Sequence, residues 1–336
     1  MKPFLAASDK RLRYEGRIDW SDTSKPVLIW QGTTVEIVFE GSELILHFGA
    51  CRGVVCFDLE VDGMSTLVEL AQANSPCEFR FPKALHAGAH RMVLLKRTEA
   101  DVGHVVFQGI SLQAGADVSM PPETESGLAM QFFGDSITAG ACSEDGAVDQ
   151  WETFATHNNA RSYAALTAKV FGARYRNIAV SGMGVVVGYV PKVASEIWDR
   201  LYPVPDSPEA EEFDWNPNLV FVNYGENDDS FSRNQALDFP AAFADAYVRL
   251  VRNMRKKYPH AEFVLLRGGM FGGARSEALR QAWENAVALL KTTDLRLHSF
   301  VFNHWSDWHP RVSDHQAMAG ELIAWLKTQP FMKRLG

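Results

Sequence analysis

The sequence predicts a three-layer α/β domain built on a parallel sheet, preceded by an antiparallel β-sandwich of jelly-roll type. Three observations carry that prediction. A period-two apolar pattern fills the first third of the chain, a polar proline-bearing stretch follows it, and apolar runs then alternate with amphipathic segments. At 336 residues the chain is long for one hydrophobic core, which agrees with two domains.

From Pro26 to about Gln113 the segments TTVEIVFEG, SELILHFGA, VVCFDLEVDG, CEFRFPKAL, HRMVLLKRT and HVVFQGISLQ alternate apolar with polar residues. Turn signals at Glu40-Gly41, Asp62-Gly63 and Ala87-Gly88 separate them. Six or more short strands without a helical interruption specify the sandwich, placed over residues 1–115. The stretch AGADVSMPPETESG is small, polar and proline-bearing, and residues 116–127 within it read as a linker. Beyond it, over residues 128–336, the runs LAMQFF, RYRNIAV, NLVFVNY, EFVLLRG and LHSFVF precede helical segments such as RSYAALTAKVFG and SEALRQAWENAVALLK. Short, wholly apolar runs followed by helices are the pattern of βαβ units around a sheet buried on both faces.

Composition narrows the function classes. Hydrophobic residues make up 46% of the chain and charged residues 22%, as in a globular protein, and the formal net charge is -8. No Lys/Arg-rich block occurs, so nucleic acid and anionic membrane are excluded as partners. The basic cluster RNMRKKYPH reads as the solvated end of a helix. No apolar run is long enough to span a bilayer. The N-terminal MKPFLAASDKRLRYEG has only a stub of apolar sequence, so a cytoplasmic location is expected, or secretion if a leader has been removed. Cys51, Cys56, Cys77 and Cys142 show no ligand spacing and read as buried free thiols, with one disulfide among the first three as the alternative. No cofactor is expected: His298, His304, His309 and His315 form no HExxH pattern, and GGMFGG is not a dinucleotide fingerprint.

In open parallel sheets, ligands sit beyond the carboxyl ends of the strands, so the residues after each apolar run are the ones to examine. They are Gly134-Asp135-Ser136, then Ser181-Gly182-Met183-Gly184, then Gly225-Glu226-Asn227-Asp228, and finally Ser306-Asp307-Trp308-His309-Pro310. A hydroxyl, a glycine loop, an amide and an imidazole with a nearby carboxylate are the parts acyl transfer requires. Each has a plainer reading as a helix cap or a turn. Their joint occurrence in this order favours chemistry.

G-D-S-I-T after the first run, Gly182 after the second, G-x-N-D after the third and a late D-x-H-P resemble the four blocks of the SGNH (GDSL-type) hydrolases, whose domain is flavodoxin-like. A sandwich placed ahead of that domain, opening with RYEGRIDW and ending in D-W-H-P, is similar to carbohydrate esterase family 2. The resemblance implies that Ser136 is the nucleophile and His309 its base. It also implies an oxyanion hole formed by the N–H of Ser136, the N–H of Gly182 and the side chain of Asn227. Asp135 and Asp228 belong to the motifs and read as loop holders. The broad pattern is D-x-x-H, whereas here Ser306 occupies that position and Asp307 lies two before the histidine. Asp307 is assigned as the orienting carboxylate. A main-chain carbonyl in its place would leave a Ser–His dyad.

Trp308 beside the base, and Trp305 close by, offer apolar faces on which a sugar ring can stack. The expected activity is therefore a serine esterase that removes O-acetyl groups from plant-type oligosaccharides or polysaccharides (xylan, mannan or glucomannan). A 6-O-acetyl preference is implied by the resemblance. A lipid esterase or thioesterase on the same scaffold, and a non-catalytic carbohydrate-binding protein, are the alternatives. The oligomeric state is not legible.

Overall fold

The computed structural model describes residues 4–122, 126–211 and 215–335. The chain divides into two compact units, Met1–Glu123 and Thr124–Gly336.

The first unit is antiparallel, with eleven strands among its described residues. Two segments that read as separate strands form one, Leu44–Val61. Its first half pairs with Cys77–Arg80 and Gly103–Leu112, its second with Met64–Ala71 and Ala89–Lys96, so one strand serves both layers of the sandwich. The change of layer falls near Gly53, whose φ of +70° and whose approach to the Val102 carbonyl, 2.0 Å from where a Cβ would stand, admit only glycine. Alternation along the strands fills the space between the layers with Val35, Ile37, Phe39, Leu46, Phe48, Phe57, Leu59 and Phe107, all buried. Phe48 stacks on Phe57 at 5.7 Å.

Two sequence readings are corrected here. Met64–Ala71 is a strand that the sequence reading passed over, because only Val68 and Leu70 are buried and the apolar residues of MSTLVELA do not alternate cleanly with polar ones. The segment taken as a linker begins later than expected. Val118–Ser119 pairs with Phe39 and Val38, since the half-buried Val118 packs on the core. Residues 123–125 of that segment lie outside the described residues.

Among its described residues the second unit holds five parallel strands, β1 (Ala129–Gly134), β2 (Arg174–Ala179), β3 (Leu219–Asn223), β4 (Glu262–Met270) and β5 (Leu297–Ser306). Their spatial order is β2-β1-β3-β4-β5. Every residue of β1 and β3 is buried, as expected for strands covered on both faces. Phe132 and Phe221 stack at 4.3 Å across that pair. The register pairs Gly134 with both Ala179 and Asn223, and Asn223 with Leu266. Three strands therefore end level at one edge, and the loops that leave them converge.

The helices are α1 (Ser136–Ala139), α2 (Tyr163–Val170), α3 (Ala194–Ile197), α4 (Glu226–Asn234), α5 (Phe243–Lys257), α6 (Phe271–Arg275), α7 (Glu277–Lys291) and α8 (Val312–Thr328). A last short turn, Met332–Leu335, follows. α5 buries Phe243, Tyr247, Leu250, Val251 and Met254 at helical spacing and ends in Arg255, Lys256 and Lys257, where cations oppose the helix dipole.

Candidate active site

Each strand end builds its part from local chemistry. After β1, Gly134 leaves room for Thr138, whose Oγ1 would lie 2.1 Å from an added Cβ. Asp135 caps α1 by accepting the Ile137 N–H at 3.1 Å, so Ser136 becomes the first helical residue. The helix-cap and nucleophile readings of this turn are thus one geometry. The cap is Asp135, and Ser136 is carried on it.

After β2, Gly182 has φ +77° and its carbonyl accepts the Tyr189 N–H at 2.8 Å. The next residues wrap around Asp228, whose carboxylate accepts the N–H groups of Val185, Val186 and Val187 at 2.8, 2.7 and 3.1 Å. Gly184 makes that approach feasible, because a Cβ there would stand 1.8 Å from the Val187 carbonyl and 2.8 Å from Asp228 Oδ2. Burial pushes the Asp228 carboxyl up to about 6, against the pull of the three N–H donors. After β3, Gly225 at φ +122° opens α4, whose first turn carries Glu226, Asn227 and Asp228. Asn227 Nδ2 donates to the Met183 carbonyl at 3.1 Å, which aims the amide along the Gly182 loop. Glu226 accepts from Gly272 and Gly273 at 3.0 and 2.8 Å and so ties α6 to α4.

His309, from the loop after β5, meets Ser136. Its Nε2 lies 2.9 Å from Ser136 Oγ. Its Nδ1 is engaged by Asp149 Oδ2 at 2.6 Å, and Arg311 Nη1 donates to Asp149 Oδ1 at 2.8 Å. Burial alone would raise the Asp149 carboxyl. The hydrogen bond and charge of His309, and then those of Arg311, outweigh it and hold the group at about 2. Trp151 stands edge-on to the imidazole with ring centres 4.6 Å apart.

Asp307 is not the orienting carboxylate that the sequence reading made it. It lines the cavity, exposed, and His309 Nδ1 is taken by Asp149 from the loop between α1 and α2. The dyad alternative is corrected with it, since a carboxylate does orient the ring. Asp149, Trp151 and Arg311 escaped the sequence reading.

A cavity of about 730 Å³ lies over these groups. Ser136, Gly182, Asn227, His309 and Trp308 all line it, with Trp151, Tyr189 and Phe271 as further aromatic walls. Trp308 is 51% exposed and Tyr189 50%. Trp305 does not line it. Its ring packs behind Phe271 at 6.1 Å, with the Arg275 guanidinium 5.1 Å from its centre. Cys142, Asp149 and His309 offer ligand atoms within 4.8 Å of one another. Arg311 already neutralises that carboxylate, burial pushes the Cys142 thiol well up, and the thiol is turned to His157, so the trio lacks the chemistry of a cation cage. All four cysteines are free thiols.

A hydroxyl, an imidazole and a carboxylate in line, at the carboxyl edge of a parallel sheet with glycine and amide loops beside them, define a serine hydrolase. The chain belongs to the GDSL-like lipase/acylhydrolase family, whose model matches residues 132–321, and the second unit is a carboxylic ester hydrolase domain. Residues 14–122 match the carbohydrate esterase 2 N-terminal model. Among curated proteins, the chain is 32% identical to cellulase/esterase CelE of Acetivibrio thermocellus over 94% of its length, and it spans 39% of that relative. It is 28% identical to an acetylxylan esterase / glucomannan deacetylase of Cellvibrio japonicus, covering 89% of this chain and 84% of the other. A solved family two carbohydrate esterase from Clostridium thermocellum, in complex with cellohexaose, superposes with a TM-score of 0.82 at 29% identity, covering 94% of this chain and 98% of that one.

Proposed function

We propose that this protein is a carbohydrate esterase that removes O-acetyl groups from plant-type glycans. The observation that carries the reading is the Ser136–His309–Asp149 line opening into a cavity with exposed Trp308 and Tyr189 faces. Flat aromatic faces suit the apolar sides of sugar rings. Further support comes from the relatives: one is named for xylan and glucomannan deacetylation, and a similar structure was solved with cellohexaose.

In this mechanism His309 Nε2 takes the Ser136 proton as Oγ bonds to the acetyl carbon. The carbonyl oxygen becomes an oxyanion held by the Ser136 and Gly182 N–H groups and the Asn227 amide. The C–O bond to the sugar then breaks, and His309 returns its proton to the departing hydroxyl. Water attacks the acetyl-serine carbonyl as His309 takes its proton. The bond to Ser136 Oγ then breaks as His309 returns that proton to Oγ, and acetate leaves. Asp149 keeps Nδ1 protonated and stabilises the imidazolium in both halves. The polymers that fit this reading are xylan, mannan and glucomannan, with the primary 6-hydroxyl preferred on the hexose units of mannan and glucomannan. A xylose unit has no such group and would be deacetylated at a secondary hydroxyl.

The test is NMR of acetylated gluco-, manno- and xylo-oligosaccharides incubated with wild type and with Ser136→Ala. Acetate release by wild type alone is expected. Release that survives Ser136→Ala removes the nucleophile. Turnover of long-chain esters with none from any sugar replaces the carbohydrate reading with a lipid one.

A further inference from the structure

Asp149 reaches the active site from a long irregular loop, and one side chain fixes that loop in place. Arg311 Nε donates to the Gly146 carbonyl at 2.8 Å. Its Nη1 faces the Cys142 carbonyl at 3.1 Å, Asp149 Oδ1 at 2.8 Å and the His309 carbonyl at 2.8 Å. Two Nη1 hydrogens serve three acceptors there, so the bonds are shared and the guanidinium is held from several sides. Its own backbone is anchored too, because Asp314 accepts the Arg311 N–H at 2.8 Å at the start of α8. The next residue, Val312, donates its N–H to Ser143 at 2.9 Å.

We propose that Arg311 is a positioning residue for ester hydrolysis: it clamps the Asp149 loop to the His309 loop and supplies the fixed cation that keeps the Asp149 carboxylate aligned with Nδ1. The inference rests on the reading of Ser136, His309 and Asp149 as the catalytic apparatus. A lysine cannot reproduce it, since one ammonium lacks the planar fork that meets Gly146 and Asp149 together. The cation also has an electrostatic role. It opposes the imidazolium while Asp149 favours it, so removing one or the other moves the protonation of the base in opposite directions. Among the described residues, the other titratable groups around the pair are Cys142, Asp145, Asp307, Asp314 and His315, and none is altered in the variants below.

The experiment uses the full chain and 4-nitrophenyl acetate, which needs no glycan recognition. Arg311→Met is expected to lower kcat by about ten- to a hundredfold, the cost of an ångström-scale misplacement, with KM within about twofold. The acid limb of its kcat/KM profile is expected to move to higher pH, because a cation that opposes the imidazolium is gone, whereas Asp149→Asn moves the limb to lower pH. Arg311→Lys retains the charge, so its limb stays at the wild-type position while kcat falls partway. Wild-type kcat in Arg311→Met, or a loss with the limb unmoved, overturns the proposal. If Arg311→Met does not fold, an Arg311→Lys variant with full wild-type kcat overturns it equally. Full activity in Ser136→Ala or Asp149→Asn would instead overturn the catalytic reading itself.

Discussion

Asp149 and His309 lie 160 residues apart in the chain and 2.6 Å apart at Oδ2 and Nδ1. The exposed Asp307, two residues from the same histidine, lines the cavity without engaging that nitrogen. Asp149→Asn is therefore expected to lower kcat by ~10⁴, the size of effect seen when a triad aspartate is lost. Asp307→Asn is expected to leave hydrolysis of a simple aryl acetate within about twofold of wild type, as a surface change does. Steady-state kinetics of the two variants side by side decide it. Equal losses would mean that Asp307 also serves the base.

What the sequence made legible follows from where each residue sits. Ser136, Gly182 and Asn227 follow apolar runs within a few residues and His309 follows one by seven, and a parallel sheet sends such positions to one edge. Periodicity pointed to that edge, and the resemblance to the four SGNH blocks supplied the roles. Asp149 sits in SEDGAVDQW, a stretch with no period and with Glu144, Asp145 and Glu152 nearby. No local signal separates it from its acidic neighbours. Its role exists only through loop closure, which Arg311 and Ser143 bring about after folding. Asp307 was chosen for nearness in sequence, yet an aspartate two positions before a histidine does not reach Nδ1 here. In the sandwich, alternation marked most strands but could not tell that two of them are continuous through Gly53, since a glycine between apolar runs reads as a turn.

Asn227 is the sharpest probe of the oxyanion site. Its amide is held by one bond to the Met183 carbonyl, and the residue is 6% exposed. Asn227→Ala is expected to cost ~10²–10³ in kcat, the usual loss for one oxyanion donor, with little change in KM. Thermal unfolding near the wild-type temperature would show that the loss is chemical. A KM increase at unchanged kcat would reassign the amide to ground-state binding.

Asp228 holds the Gly182 loop by accepting three N–H groups, those of Val185, Val186 and Val187. Truncation leaves the buried Val185 donor unpaired at ~1–3 kcal/mol, while the part-buried Val186 and Val187 donors are more readily relieved by water. Asp228→Ala should therefore lower the unfolding temperature of the second unit and reduce kcat in the same variant, because the Gly182 N–H moves with the loop. Calorimetry and aryl acetate kinetics on one preparation test this. Wild-type kcat with lowered stability would separate the loop from catalysis.

His315 on α8 is fully buried, and its Nδ1 accepts the Tyr163 N–H at 3.2 Å at the start of α2. Burial disfavours the imidazolium and brings the ring down to about 3, so it is neutral wherever the fold is intact. In the unfolded chain the ring binds a proton near its ordinary value, about 6.5. Between those limits the unfolded state holds the extra proton, so stability rises with pH and falls as pH drops from about 6.5 toward 3. The slope from this one group is up to about 1.4 kcal/mol per pH unit. His315→Asn keeps an acceptor for Tyr163 and cannot titrate. Its stability, measured by denaturant unfolding from pH 7 to 4, is expected to be lower than wild type at pH 7 but to decline less steeply with acid. A parallel decline in both proteins would assign the acid sensitivity to carboxylates such as Asp149 instead.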